Sequence, residues 1–221
     1  MEQSAASIAL FSAAMGVVST MVCLPVGVWI AYVLARRSFS GKSLVETVVL
    51  LPLVLPPVAT GFVLLQLFGV DGPLGRALSA LGVQVVFTWK AVVLSMAVMS
   101  LPLIVITVRA GFEHVDVRYE QIAATLGASA SRVFWTITLP LARRSVLAGA
   151  TLGFARALGE FGATIVLAGG IPGQTQTLAV AIFNLNEAGR EADATRLLVV
   201  SAVLAFGSLF LANQVQRRRT R

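Results

Sequence analysis

Two full charges lie inside one of the most apolar stretches of this 221-residue chain. Residues 152–170 read LGFARALGEFGATIVLAGG, and their ionisable side chains are Arg156 and Glu160. A spacing of four places both on one face of a helix, where they can pair. One interpretation is a structural ion pair that holds this helix against its neighbours. Another is an arginine that attracts an anion while the glutamate restrains its side chain. A third, weaker interpretation is proton transfer through Glu160.

The composition places this pair in lipid. Hydrophobic residues make up 57% of the chain and charged residues 12%, with a mean hydropathy of +0.87, whereas soluble domains carry about 25% charged residues. Several apolar stretches are close to the length of about 20 residues that a helix needs to cross a bilayer. They show no strand-like alternation, so they predict helices. The expected fold is an all-α integral membrane protein, one transmembrane domain over residues 1–221. Its five or so spans are Ile8–Ala35, Leu44–Phe68, Ala91–Val108, Ser145–Ala168 and Leu197–Val215.

Basic residues predict how the spans are oriented. Cytoplasmic segments of membrane proteins are rich in Lys and Arg, and an outside N-terminus places most of them inside, with the C-terminus inside as well. The basic tail at residues 216–221 is expected to bind anionic lipid rather than nucleic acid. The cytoplasmic set is Arg36, Arg37, Lys42, Arg109, Arg118, Arg132, Arg143, Arg144, Arg217, Arg218, Arg219 and Arg221.

The second span contains three prolines in the segment LPLVLPPVATG, at Pro52, Pro56 and Pro57. Each removes a backbone donor, so the helix should kink or break near the middle of the membrane. Neighbouring helices can satisfy a purely structural bend, whereas many transporters line a polar path with broken helices. The candidate translocation-path residues are Pro56, Pro57, Thr60, Arg156 and Glu160.

A stripe of small residues recurs every four positions in the fourth span, at Ser145, Gly149, Gly153 and Ala157. Small residues let helices approach closely. The stripe therefore predicts packing within the subunit or across a dimer axis. Of the outer segments, residues 69–88 should hold a short interfacial helix, and residues 177–186 a helix against the outer mouth.

The largest predicted cytoplasmic loop covers residues 109–144 and includes VRYEQIAATLGASASRVFWTITLPLARRS. It predicts a helix from Glu120 to Leu126 interrupted at Gly127, then a second element that ends at Pro140. The apolar VFW cluster at 133–135 is flanked by arginine, which is typical of a surface that docks on a protein or a membrane face.

This loop resembles the EAA signature of ABC importer permeases, Glu-Ala-Ala-x3-Gly-x9-Ile-x-Leu-Pro. Its positions fall at residues 121–123, 127 and 137–140, with Gln121 and Ile122 in place of Glu and Ala. The resemblance implies the type I permease fold in the bacterial inner membrane, with a loop that docks on a separate cytoplasmic ATPase. The coupling residues that it implies are Glu120, Gln121, Ala123, Gly127, Ala128, Arg132, Phe134 and Pro140.

The chain has no G-x-x-x-x-G-K-[ST] phosphate loop, so ATP and Mg are expected on the partner and no cofactor in this chain. No catalytic residue or metal site is predicted either, since Cys23 and His114 are each alone. The resemblance also implies an extracytoplasmic oxyanion-binding protein. Because five helices make a small bundle for enclosing a path, we expect a homodimer with the path at its interface.

Three stretches, LPLVLPPVATGFVLL, FARALGEFGATIVLAGGIPGQTQT and TLGASASRVFWTITLPL, resemble molybdate permeases in particular. The implied function is the permease subunit of an ATP-driven importer for molybdate, and for tungstate because the two oxyanions are nearly equal in size. Sulfate and thiosulfate permeases share the ALGEFG-like segment and form the first alternative. A secondary carrier is the second, although it would usually need a repeated architecture, and no repeat is visible.

Overall fold

The computed structural model describes the backbone of residues 4–218 and the side chains of residues 4–210. Within that range the chain is helical with no strand, which confirms the predicted all-α class. The last residues of the predicted basic tail lie outside it. The elements are α1 (Ala5–Arg36), α2 (Lys42–Val54), α3 (Pro57–Phe68), α4 (Pro73–Ala80), α5 (Trp89–His114), α6 (Val117–Thr125), α7 (Ala130–Val133), a π-helical turn (Phe134–Thr138), α8 (Leu139–Leu158), α9 (Gly162–Ala168), α10 (Leu178–Glu187) and α11 (Glu191–Arg218).

Up to five spans are present among the described residues. By length and apolar composition, α1, α5 and α11 are each able to cross a membrane alone. The other two candidates are broken pairs: α2 and α3 meet at an angle of 115°, and the helix from Ala130 to Leu158 meets α9 at 63°. If each bent pair is one span, the total agrees with the predicted five.

The two interrupted spans were predicted with different success. The break expected at the prolines is confirmed, because α2 ends at Val54 and α3 begins at Pro57, whereas Pro52 lies inside α2 without ending it. The fourth span was predicted as one helix without a break, and this prediction was wrong. There α8 ends at Leu158, residues 159–161 leave the helix, and α9 starts afresh at Gly162.

Helices extend into both ends of the predicted cytoplasmic loop at 109–144. Because α5 continues to His114 and α7 begins at Ala130, residues 115–129 form the connection between the two long helices. Pro140 does not end the second element as predicted. It lies at the start of α8, directly after the π-helical turn, and the helix from Ala130 to Leu158 continues through it.

α5 is the central helix and packs against both α1 and α8. Glycines allow close contact, since a Cβ atom on Gly27 or Gly153 would lie 2.7 Å from side-chain atoms of Ile104. Gly149 approaches Val108 in the same way, at 2.8 Å. The small-residue stripe of the fourth span is therefore used within the subunit, which was the first of its two predicted roles.

Both helices expected in the outer segments are present, as α4 and α10. The backbone N–H of Leu178 at the start of α10 donates to Ser12 Oγ of α1 at 2.7 Å. Farther along α10, the Phe183 ring lies 4.8 Å from the ring of Phe161, measured between centroids. Because Phe161 lies in the gap between α8 and α9, α10 packs against the interruption of the fourth span.

Candidate translocation path and coupling elbow

The two interrupted spans meet where each is broken. A Cβ atom on Gly162, the first residue of α9, would lie 2.8 Å from Cβ of Pro57, the first residue of α3. One turn into α3, a Cβ atom on Gly61 would lie 2.7 Å from Cα of Ala163. Only glycine permits backbones to approach this closely. We call this contact between residues 57–61 and 162–166 the crossing.

Arg156 and Glu160 lie beside the crossing and form the predicted ion pair. Arg156 Nη1 is 2.7 Å from Glu160 Oε2, and the glutamate side chain is 1% exposed against 25% for the arginine. The other carboxylate oxygen, Oε1, accepts the backbone N–H of Ala163 at 2.8 Å. Glu160 therefore holds the arginine with one oxygen and caps the first turn of α9 with the other. The cap has no counterpart in a continuous helix and was not predicted.

The remaining predicted path residues also lie at or near the crossing. Pro56 and Pro57 are exposed, whereas Thr60 is buried at 7% exposure. The Thr60 hydroxyl, like that of Thr164 on α9, has no hydrogen-bond partner among the described residues. A buried hydroxyl without a partner is costly. The crossing thus places unsatisfied polar groups next to the Arg156–Glu160 ion pair inside an apolar bundle.

The docking loop forms a compact elbow, which we define as residues 117–133. Its first helix, α6, begins after Asp116, whose carboxylate accepts the N–H of Arg118 at 2.9 Å. Gly127 follows α6 with φ +85°, a left-handed conformation that favours glycine, and a Cβ atom there would meet nothing within 4 Å. Ser129 then caps α7. Gly127 is therefore required for the turn itself and not for packing space.

The solvent-exposed face of the elbow carries large apolar side chains. Ile122 is 59% exposed and Leu126 83%, and Gln121, Gly127 and Arg132 are exposed as well. A groove of about 620 Å³ lies between α6 and the start of α8. Its lining includes Tyr119, Ile122, Ala123, Leu126, Ile137 and Pro140.

Two of the predicted coupling residues turn inward instead. The Phe134 ring packs 4.8 Å from that of Tyr32 on α1 and 6.2 Å from that of Phe112 on α5, measured between centroids. Glu120 pairs with Arg36, which sequence reasoning did not single out for a site, at 2.9 Å. Neither side chain therefore belongs to the exposed docking face. The pairing joins positions 84 residues apart, and no local spacing signals such a contact.

The chain matches the family model described as binding-protein-dependent transport system inner membrane component over residues 23–221. It is 45% identical to the molybdenum transport system permease protein ModB of Haemophilus influenzae over 99% of this chain and 95% of that protein. It is 36% identical to the sulfate transport system permease protein CysW of Synechococcus elongatus, over 91% of this chain and 68% of that protein.

The fold has a counterpart among solved structures. A chain of the MetNI methionine ABC transporter, in inward-facing conformations, superposes with a TM-score of 0.76 at 16% identity, over 98% of this chain and 96% of that chain. The fold is thus that of ABC importer permeases, as predicted. With up to five spans among the described residues, the chain is a multi-pass inner-membrane protein, and it belongs to the family of binding-protein-dependent transport system inner membrane components.

Proposed function

We propose that this chain is the permease subunit of an ATP-driven importer for molybdate, with tungstate accepted as well. The observation that carries the proposal is the 45% identity, over 99% of the chain, to a relative named as a molybdenum transport permease. The relative named as a sulfate permease is less similar, at 36% identity. Molybdate, tungstate and sulfate are all tetrahedral dianions, so both relatives support an oxyanion as substrate, and the higher identity to the molybdenum permease favours molybdate within this class.

In this proposal the chain performs no bond-making chemistry and binds no nucleotide. A separate cytoplasmic ATPase holds ATP and Mg and docks on the elbow. It contacts the exposed Gln121, Gly127 and Arg132 and the half-buried Ala128, together with the groove that Ala123 and Pro140 help to line. The exposed apolar side chains of the elbow support this role, because exposed apolar surface flanked by arginine is typical of docking surfaces.

Two copies of the chain are proposed to enclose the path, with the N-terminus outside and the elbow inside. A binding protein delivers the oxyanion at the outer face. The route is lined by the crossing and the residues beside it, namely Pro56, Pro57, Thr60, Arg156 and Glu160. A guanidinium that is already paired offers positive potential without the full attraction of a free charge, so that a dianion can enter and leave.

Reconstitution tests the proposal directly. The chain is placed in liposomes with its ATPase and binding protein, and uptake of labelled molybdate is measured while unlabelled tungstate or sulfate competes. We expect uptake that requires ATP and that tungstate suppresses more strongly than sulfate. Preferential transport of sulfate would replace molybdate as substrate, and uptake driven by an ion gradient without the ATPase would make the chain a secondary carrier.

A labelling experiment tests the orientation separately. The exposed Ala124 on the elbow is replaced by cysteine, and intact cells are treated with a membrane-impermeant thiol reagent; Cys23 is buried and stays unlabelled. We expect protection in intact cells and labelling after permeabilisation. Labelling of intact cells would place the elbow outside, where no ATPase could reach it.

A further inference from the structure

A largely buried polar cluster joins the elbow to the first span and lies outside the exposed docking face. Arg36 Nε donates to Glu120 Oε1 at 2.9 Å, and Arg36 Nη2 donates to the backbone carbonyl of Val115 at 2.8 Å. The Thr138 hydroxyl donates to the same Glu120 oxygen at 2.9 Å. The Arg36 and Glu120 side chains are 10% and 14% exposed. We call these four residues the clamp.

Three elements and the residue that follows a fourth contribute to the clamp. Arg36 is the last residue of α1, Val115 follows α5, Glu120 lies on α6, and Thr138 ends the π-helical turn before α8. The aromatic rings of Tyr32, Phe112 and Phe134 pack together on three of these elements. Polar bonds and ring contacts therefore fasten α1, α5 and the start of α8 to the elbow at one end of the bundle.

The half-helix α2 has no residue in the clamp. Its Glu46 instead pairs with Arg109 of α5 at 2.8 Å, with both side chains about 30% exposed. Val49 is the only buried residue of α2, and the proline break separates α2 from α3. The bundle end is thus divided into a fastened group, which contains the elbow, and a loosely attached half-helix.

We propose that Arg36 is a positioning residue for transport, which ties the elbow to the first span so that α1 follows every movement of α6. The inference rests on the proposed docking of an ATPase on the elbow. A pair exposed to water exchanges its partner for solvent at little cost, whereas a buried one resists separation because each charge would be left unpaired. The clamp therefore transmits a displacement of α6 instead of letting α6 slide over the end of α1.

Charge reversal tests this role in the reconstituted complex with its ATPase and binding protein. In Arg36→Glu or Glu120→Arg, we expect ATP hydrolysis to continue while oxyanion transported per ATP falls about tenfold, within the usual range of coupling free energies. The double variant, with both reversals, should restore the ratio. Glu113→Gln is the matched control, since Glu113 is a glutamate paired with an arginine at 2.7 Å within one helix, and it should leave the ratio unchanged.

A merely structural role would give a different result. The single reversals would then lower the yield of folded complex, yet the folded fraction would transport as many oxyanions per ATP as the wild type. That result would overturn the proposal, as would a double variant that stays uncoupled although its complex assembles.

A distance measurement tests the clamp in the absence of the ATPase. Spin labels are attached at Ser38 and Arg118, both exposed, after Cys23→Ser, and the distance distribution is recorded for the chain in nanodiscs. We expect a narrow distribution that Arg36→Gln broadens and Glu113→Gln does not. An equally narrow distribution in Arg36→Gln would overturn the clamp. If the distance result is as expected but the wild-type complex does not take up the oxyanion, the proposed function would be refuted and the clamp would not.

Discussion

Two arginine–glutamate pairs occupy different regions of the molecule and have little in common beyond their chemistry. Arg36 and Glu120 are 84 residues apart in sequence and join the elbow to the first span. Arg156 and Glu160 are four residues apart and lie beside the crossing of the interrupted spans. The nitrogen–oxygen distances are similar, at 2.9 Å and 2.7 Å. What differs is the structure that each pair stabilises.

The pair in the clamp depends on the tertiary fold, because α1, α5 and α6 must already be in place for its bonds to form. The pair at the crossing depends mainly on local structure, since Glu160 caps the helix that begins two residues later. A local pair should therefore decide whether its own segment forms. A long-range pair should decide how segments move relative to one another.

Glu160→Ala should produce the largest loss of stability. It leaves Arg156 without its partner and the N–H of Ala163 without its cap, and removing one member of a buried pair costs about 3–5 kcal/mol. Thermal unfolding of the purified chain in detergent measures the loss. Arg36→Ala is the comparison, because Arg36 also pairs with a single glutamate, whose side chain is 14% exposed. If Arg36→Ala destabilised the chain more than Glu160→Ala, the Arg156–Glu160 pair would not be the one that decides folding.

Gly61→Leu should destabilise the crossing nearly as strongly. The new side chain would meet backbone atoms of Ala163, 2.7 Å from Cα and 2.9 Å from the carbonyl oxygen, and overpacking costs about 3 kcal/mol when the neighbour cannot yield. Gly207→Leu on α11 is the control, since a Cβ atom there meets nothing within 4 Å. Equal unfolding temperatures for the two variants would show that α3 and α9 do not meet closely.

The two regions also differ in how far the sequence predicts them. Apolar stretches without strand-like alternation predicted the five candidate spans, and three prolines predicted the break between α2 and α3. Both signals can be read from residues that are close in sequence. The break after Leu158 was missed, since ALGEFGA contains no proline and glycine is tolerated within membrane helices. The inward turn of Glu120 and Phe134 was missed as well, because only the packed fold shows which side of the elbow meets α1.

Gly127→Leu should cost less stability than either substitution at the crossing but should disturb transport. The left-handed backbone at φ +85° costs a non-glycine residue about 1–2 kcal/mol, and the space around it is open. We expect the chain to insert and fold while ATP hydrolysis no longer drives uptake in the reconstituted complex. Gly82→Leu in the segment before α5 is matched in conformation, with φ +71° and no atom within 4 Å of its Cβ position. Normal uptake in Gly127→Leu would contradict the docking role of the elbow.

The smallest loss of folding free energy is expected for Arg156→Gln combined with Glu160→Gln. Replacing both members of a buried ion pair by neutral groups is often nearly neutral for stability, and the amide that replaces the Glu160 carboxylate keeps an oxygen that can accept the N–H of Ala163. If Arg156 attracts the oxyanion, uptake should still fall about tenfold, equivalent to about 1.4 kcal/mol of lost stabilisation. Thermal unfolding and uptake measured on one preparation separate the two effects. A stable double variant that transports at the wild-type rate would leave Arg156 with a structural role, and the crossing would then stabilise the path without attracting its substrate.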